Sequence, residues 1–227
     1  EQGGMYNEKN NELSIIPGLE IEPLKGWVIY SNLRWRLNNW GNSNHEAKVK
    51  SWLADGTEGY LRAENNYSVT NYTGNYVSPN IYSTYTRAIG KNNITVMAGY
   101  EQELFNYNSS FSKRYDLISD AVPSLKTATG RQEALGDLGH NSTRSFFGRL
   151  NYSFSDRYLA EVSMRYDGSS KFPEGYRWGT FPSGSVAWVI SKEQFWQPVS
   201  KAINLFKVRA SFGSLGNQNV DNYLYIE

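Results

Sequence analysis

The chain of 227 residues contains no cysteine, which removes disulfide scaffolds, thiolate metal sites and cysteine nucleophiles. It has no excess of one charge: 23 Lys and Arg stand against 22 Asp and Glu, so no long-range field favours nucleic acid or anionic lipid. It lacks long hydrophobic runs. The longest, Val186 to Ile190, has five residues, where a spanning helix needs about 18 or more. Histidine is scarce. His45 and His140 fit neither a His-x-x-x-His nor a Glu-x-x-His pattern, so both read as solvated loop residues and no metal is expected. No Gly-rich loop follows a strand to cradle phosphate, and no cofactor is indicated. Asp137, His140 and Ser142 lie close in sequence, but a triad is a matter of geometry, so no enzyme is read from them. Six Asn-x-Ser/Thr sequons, such as Asn66 and Asn141, are what chance gives in a chain this rich in Asn.

What the chain has is aromatic side chains and alternation. Trp, Tyr and Phe make up 15% of it, a level met in the girdles of membrane barrels and on sugar-binding surfaces. Apolar residues recur with period two over eight segments: 13–23, 27–38, 79–89, 93–105, 144–154, 158–168, 178–190 and 205–216. Each is 11 to 13 residues long. Soluble strands average about five or six, and membrane-spanning strands need about nine to eleven. Tyr158, Ala160, Val162, Met164 and Tyr166 form one row, and Glu161, Ser163, Arg165 and Asp167 form the other. The fold class is therefore all-β, an antiparallel meander of about eight long strands. The mean hydropathy of −0.60 does not argue against a membrane, because only alternate residues of a barrel strand face lipid.

The connections alternate as well, with lengths of 3, 40, 3, 38, 3, 9 and 14 residues. Short turns on one side and long loops on the other are the habit of outer-membrane barrels. The 14-residue connection is the exception. There Ser191-Lys192-Glu193-Gln194 predicts a capping box, and Phe195, Trp196, Val199 and Ile203 an apolar helical stripe limited by Pro198. If the short turns are periplasmic, both ends of the eight-strand set face outside, which marks residues 1–227 as a single partial barrel segment. Trp178 and Trp188 share parity ten residues apart, as two aromatic girdles would.

The last third carries ordered motifs: Arg165-Tyr-Asp-Gly-Ser-Ser-Lys-Phe172, Arg177-Trp-Gly-Thr-Phe-Pro-Ser183, Ala187-Trp-Val-Ile-Ser-Lys-Glu193, Val208-Arg-Ala-Ser-Phe-Gly213 and Gly216-Asn-Gln218. This series resembles the SusC/RagA family of TonB-linked outer-membrane transporters of Bacteroidetes, densely over 144–222 and more weakly over 13–107. The resemblance implies a 22-stranded transmembrane β-barrel in the outer membrane, of which this chain is a C-terminal-side part with two long extracellular loops. It also implies uptake of oligosaccharide or peptide under a SusD-like surface lipoprotein, driven by TonB-ExbB-ExbD through a plug and TonB box that this chain does not contain.

Two sets of residues follow as candidates. Arg34, Arg36, Arg149, Glu161, Arg165, Lys207 and Arg209 occupy the polar rows and are expected to face a wet lumen. Trp40, Trp52, Tyr60, Tyr67, Tyr72 and Tyr76 lie in the first long connection among Asn, Ser and Gly, the mix that suits ligand contacts and sugar stacking. The alternative is a soluble, aromatic-rich β-sandwich that binds glycans, with the apolar rows meeting in one core. Asp167-Gly-Ser-Ser170 reads as a strand-end turn, since a calcium loop needs more acidic residues at fixed spacing.

Overall fold

Alternation with no helix-period stretch leaves the backbone one way to satisfy its polar groups, by pairing strand to strand. The structure, a computed structural model, describes residues 3–221. It forms a nine-stranded sheet in the order β1-β3-β6-β7-β8-β9-β10-β11, with β2 also paired to β3, and a separate two-stranded sheet of β4 and β5. The strands are β1 Gly4–Ile15, β2 Gly18–Leu24, β3 Trp27–Glu46, β4 Val49–Trp52, β5 Glu58–Arg62, β6 Asn66–Ile89, β7 Asn92–Tyr115, β8 Gln132–Phe154, β9 Tyr158–Ser169, β10 Trp178–Val189 and β11 Lys207–Gly213. A second sheet large enough to cover the first is absent among the described residues, so the sandwich alternative does not hold.

Four strands run far past their predicted ends. β3, β6, β7 and β8 have 20, 24, 24 and 23 residues, and they absorb most of what the sequence assigns to two loops of about forty residues. The reason is composition: polar residues such as Asn39, Asn42, Ser43 and Asn44 sit on both sides of the strand, so the alternation vanishes while the ladder continues. The predicted first strand is two, β1 and β2, parted at Ile16-Pro17, where proline brings no N–H to the ladder. Pro17 still accepts from Leu33 N at 3.1 Å. The last strand is shorter than 205–216, and beyond it Ser214 N donates to Pro182 O at 3.0 Å.

The tight turns are two or three residues long. Ser155 and Asp156 both carry φ of 52°, the left-handed pair that a primed hairpin turn requires, and Gly26 carries φ of 82°. The helix predicted after Ser191 is replaced by two 3-10 turns, 190–192 and 194–196, with no side-chain cap. Ser191 N donates to Phe206 O at 3.1 Å instead of to a capping side chain. A capping box forms elsewhere, between Ser124 and Thr127, in the folded patch within 116–131.

The chain divides into two compact units: Glu1–Ser14, Trp35–Tyr76 and Phe105–His140 form the first, and Ile15–Arg34, Val77–Leu104 and Asn141–Glu227 the second. In the second unit the hairpin register aligns Phe146 with Tyr166, Leu150 with Val162 and Phe154 with Tyr158, which makes one continuous apolar face. Its side chains are exposed: Val162 by 60%, Met164 by 55% and Val186 by 60%. In the first unit Tyr115, Leu117 and Ala128 are buried among polar neighbours and form a small core of their own.

Candidate functional site

The two faces of the second unit differ in chemistry because side chains alternate. On the apolar face aromatic rings gather at two levels. Tyr166 stacks on Trp178 at 4.7 Å, and Phe146 lies 6.2 Å from Trp178 and 5.2 Å from Tyr100. Ten residues further along β10, Trp188 lies 6.4 Å from Tyr158 and 6.3 Å from Phe195. Ten residues span about 33 Å along a strand, and a tilt of roughly 40° reduces that to about 25 Å, the height of an apolar barrel band. The lower level is anchored by Glu193. Its carboxylate accepts from Trp188 Nε1 at 3.1 Å, Tyr158 OH at 2.9 Å and Arg157 Nη1 at 3.1 Å. The Trp188 and Tyr158 donors hold the Glu193 carboxyl below its ordinary pKa. The sequence shows Glu193 only as part of a capping box, since its partners lie up to 36 residues away.

On the other face lie polar side chains. Ser163 and Ser183 share a 2.7 Å hydrogen bond, and Arg209 Nη2 donates to Ser185 Oγ at 3.2 Å. Register places Glu161 beside Asn151 and Ser185, Arg149 beside Ser163, and Lys207 beside Val189. Arg165 contacts Asp167 at 3.3 Å and Glu101 at 3.8 Å, and its guanidinium lies 5.5 Å from the Phe147 ring centroid. Arg34 is exposed on β3.

Three of the sequence motifs converge on a cleft of about 580 Å³, whose lining includes Glu101, Glu103, Arg165, Asp167, Phe181 and Asn217. Lys171 Nζ reaches the carbonyls of Val220 at 2.9 Å and Gln218 at 3.4 Å. A Cβ at Gly168 would meet the Trp178 ring at 2.8 Å, so close packing accounts for the glycine of Asp167-Gly-Ser-Ser170. No cluster of metal-binding side chains occurs among the described residues.

In the first unit the six aromatic candidates do not lie in a loop. Trp40 is on β3, Tyr67, Tyr72 and Tyr76 are on β6, and Trp52 and Tyr60 are on the β4–β5 hairpin. The structure brings some of them together. Trp40 Nε1 donates to Glu8 Oε1 at 2.7 Å, and Tyr6 OH donates to Glu8 Oε2 at 2.8 Å. Those two donors lower the Glu8 pKa. Tyr72 stacks with Tyr107 at 6.0 Å and 19°, and Arg36 lies over the Tyr76 ring at 5.2 Å. Trp52 and Tyr60 stand apart from this group, exposed by 76% and 54%.

His45 is buried, not solvated. Its Nε2 lies 2.9 Å from Asp120 Oδ1, which also accepts from Asn65 Nδ2 at 2.8 Å. Asn65 Oδ1 in turn accepts from Leu117 N at 2.8 Å. Burial pushes the Asp120 carboxyl up, and the hydrogen bonds from His45 and Asn65 outweigh it, leaving the pKa below the ordinary value. His140 and Asp137 both lie on β8, three residues apart and so on opposite sides of the strand. Asp137 accepts from Tyr107 OH at 3.0 Å.

A two-faced meander with an exposed apolar side, two aromatic levels and a polar reverse side defines the wall of a transmembrane β-barrel. The family model of the TonB dependent receptor-like β-barrel matches residues 6–225, and the chain belongs to that family, whose barrels lie in the outer membrane. It is 37% identical over 191 residues to the TonB-dependent receptor SusC of Bacteroides thetaiotaomicron, covering 79% of this chain and 18% of that protein. It is 31% identical over 153 residues to the TonB-dependent receptor P3 of Formosa agariphila, covering 66% of this chain and 15% of that protein. The chain thus spans less than a fifth of the length of these two relatives. The solved RagAB peptide transporter superposes on 97% of this chain and 24% of its own, with a TM-score of 0.82 at 18% identity, a likeness of fold. These relatives are receptors and transporters, not enzymes.

Proposed function

We propose that the chain is part of the barrel wall of a SusC-like importer that carries an oligosaccharide or peptide across the outer membrane. The observation that carries this reading is the two-faced sheet, with its exposed Val162–Val186 side between aromatic levels and its polar side opposite. The apolar side contacts outer-membrane lipid. Arg34, Arg36, Arg149, Glu161, Arg165, Lys207 and Arg209 face the lumen, where long charged side chains remain hydrated. A SusD-like surface lipoprotein closes the importer from outside, and TonB-ExbB-ExbD drives it through parts of the protein beyond this segment. SusC at 37% identity and the RagAB fold support that assignment. Trp40, Tyr67, Tyr72 and Tyr76, on strand extensions, and Trp52 and Tyr60, on the hairpin, are the residues we assign to contact with the cargo or the lid. The test is deletion of the full-length gene, with envelope fractionation of the wild type and growth on single oligosaccharides or peptides as carbon source. The protein should partition with the outer membrane, and growth on at least one oligomer should fail. Recovery in the soluble periplasm, or unimpaired growth throughout, would sink the reading.

A further inference from the structure

We propose that Trp40, Tyr72 and Tyr107 form a stacking platform for a neutral pyranose ring of an imported oligosaccharide, an inference that rests on the import reading and narrows its substrate. The three residues stand on three successive strands of the sheet order, β3, β6 and β7. Thr73 Oγ1 donates to Asn39 Oδ1 at 3.1 Å, and one step along this antiparallel pair brings Trp40 beside Tyr72. Tyr72 then stacks with Tyr107. Alternation puts Trp40 on the same side of β3 as Arg36, a residue assigned to the lumen.

The rings lie low against the sheet. A Cβ at Gly74 would meet the Tyr72 ring at 3.1 Å, and one at Gly139 would meet the Tyr107 ring at 2.5 Å. Each tyrosine ring therefore occupies the space over a glycine, which a Cβ there would close. All three side chains are half-buried and keep accessible surface. Their polar edges are fixed, Trp40 Nε1 by Glu8 and Tyr107 OH by Asp137. A carboxylate has about four acceptor sites, so Glu8 and Asp137 retain capacity for ring hydroxyls at both sides of the row. Tyr76 is already covered by Arg36, which limits the platform to the other three rings.

The chemistry selects the ligand. The C–H face of a pyranose is apolar and weakly positive, and it suits the negative face of an aromatic ring, while its hydroxyls point outward as donors. A peptide can be held independently of its side chains by adding to a free strand edge, where its main chain supplies the hydrogen bonds. These residues sit on interior strands whose edges are already paired. Glu8 and Asp137, the carboxylates in direct contact with the rings, disfavour uronic and sulfated sugars there, while Arg36 is engaged over Tyr76, so neutral sugars are the preferred ligands.

The experiment uses the full-length detergent-purified protein, titrated with neutral hexaoses of glucose, xylose and mannose, with oligogalacturonate, with a sulfated oligosaccharide and with a mixed peptide pool. At least one neutral hexaose should bind more tightly than every anionic glycan and the peptides. Tyr72→Ala and Trp40→Ala should each weaken it about tenfold, the loss of one aromatic contact, while Tyr72→Phe stays within about threefold. If the alanine variants fail to fold, Tyr72→Leu keeps apolar volume without a π face and should show the same loss. Preference for peptide or anionic glycan, silence across the panel, or unchanged affinity in a folded Tyr72→Ala or Tyr72→Leu protein would overturn the platform. Uptake separates the two readings. Normal uptake in a Tyr72→Ala strain, with uptake lost on gene deletion, removes the platform alone, and unimpaired uptake on deletion removes the importer.

Discussion

Val162 and Leu117 are both aliphatic, yet one is 60% exposed on a strand of the second unit and the other 6% exposed in the first. The second unit turns its apolar side chains out and keeps small hydrogen-bonded polar groups on the reverse face, as at Ser163 and Ser183. The first unit buries Tyr115, Leu117 and Ala128 and surrounds them with bonds among Asn65, His45 and Asp120. The difference is one of solvent. In lipid an exposed valine costs nothing, so an interior core is unnecessary. The first unit instead gathers three apolar residues into a small core held by side-chain hydrogen bonds, while others such as Leu61, 81% exposed, and Leu138, 75% exposed, stay at its surface.

The largest effect should come from breaking the outward face. Val162 lies midway between Tyr158 and Tyr166 on β9, opposite Leu150, which the barrel-wall reading puts near the bilayer midplane. Val162→Arg should destabilise the full-length protein by about 2–4 kcal/mol, the cost of a cation facing lipid at that depth. Ser163→Arg, one residue along on the polar face, should change stability by far less. Urea unfolding in liposomes, followed by the heat-modifiable gel shift, reads both. Equal penalties would mean that the two faces are not in different solvents.

A smaller effect is expected from the hub of the first unit. Asn65 is 3% exposed, accepts from Leu117 N, and donates to both Asp120 and Leu117 O. Asn65→Ala leaves the Leu117 N–H without its acceptor, a loss of about 1–3 kcal/mol for a buried group. The loss should be local. Amide exchange across 117–128 should accelerate by tenfold or more while β9 and β10 keep their protection, and an equal change in β9 would show that the two regions do not open independently.

How legible each region was follows from the same contrast. In the second unit period two marks the faces directly, because lipid tolerates no polar residue on one side, and Phe146 to Phe154 and Tyr158 to Tyr166 could be assigned from the residues alone. The turn at Ser155-Asp156-Arg157 was legible for the same reason. The extensions of β3, β6, β7 and β8 were not, since Asn and Ser on both faces of a wet strand carry no period. His45 misled for a further reason. A histidine beside Asn44 and Glu46 looks solvated, and its burial depends on Asp120, 75 residues later. The aromatic candidates showed the right composition but not the grouping. Tyr107 and Glu8, which complete the arrangement around Trp40 and Tyr72, come from strands distant in sequence, and Gly74 and Gly139 mattered only once the rings were seen to lie over them.

The smallest effect concerns acid. Asp120 is an acceptor only, so His45 Nε2 and Asn65 Nδ2 both donate to it, and together they hold its carboxyl below the ordinary aspartate range. A carboxyl with a lowered folded pKa adds stability that is complete above its unfolded value and is lost as pH falls through the folded one. Acid below about pH 4 should therefore loosen 117–128, once amide exchange is corrected for its intrinsic pH dependence. The Asp120 side chain is 42% exposed, so solvent screening limits the clasp to under about 1 kcal/mol, or less than about fivefold in exchange. Asp120→Asn keeps the shape and an acceptor oxygen without a titrating group. Its exchange should stay flat over the range in which the wild type accelerates, and parallel acceleration in both proteins would assign the acid sensitivity to some other group of the first unit.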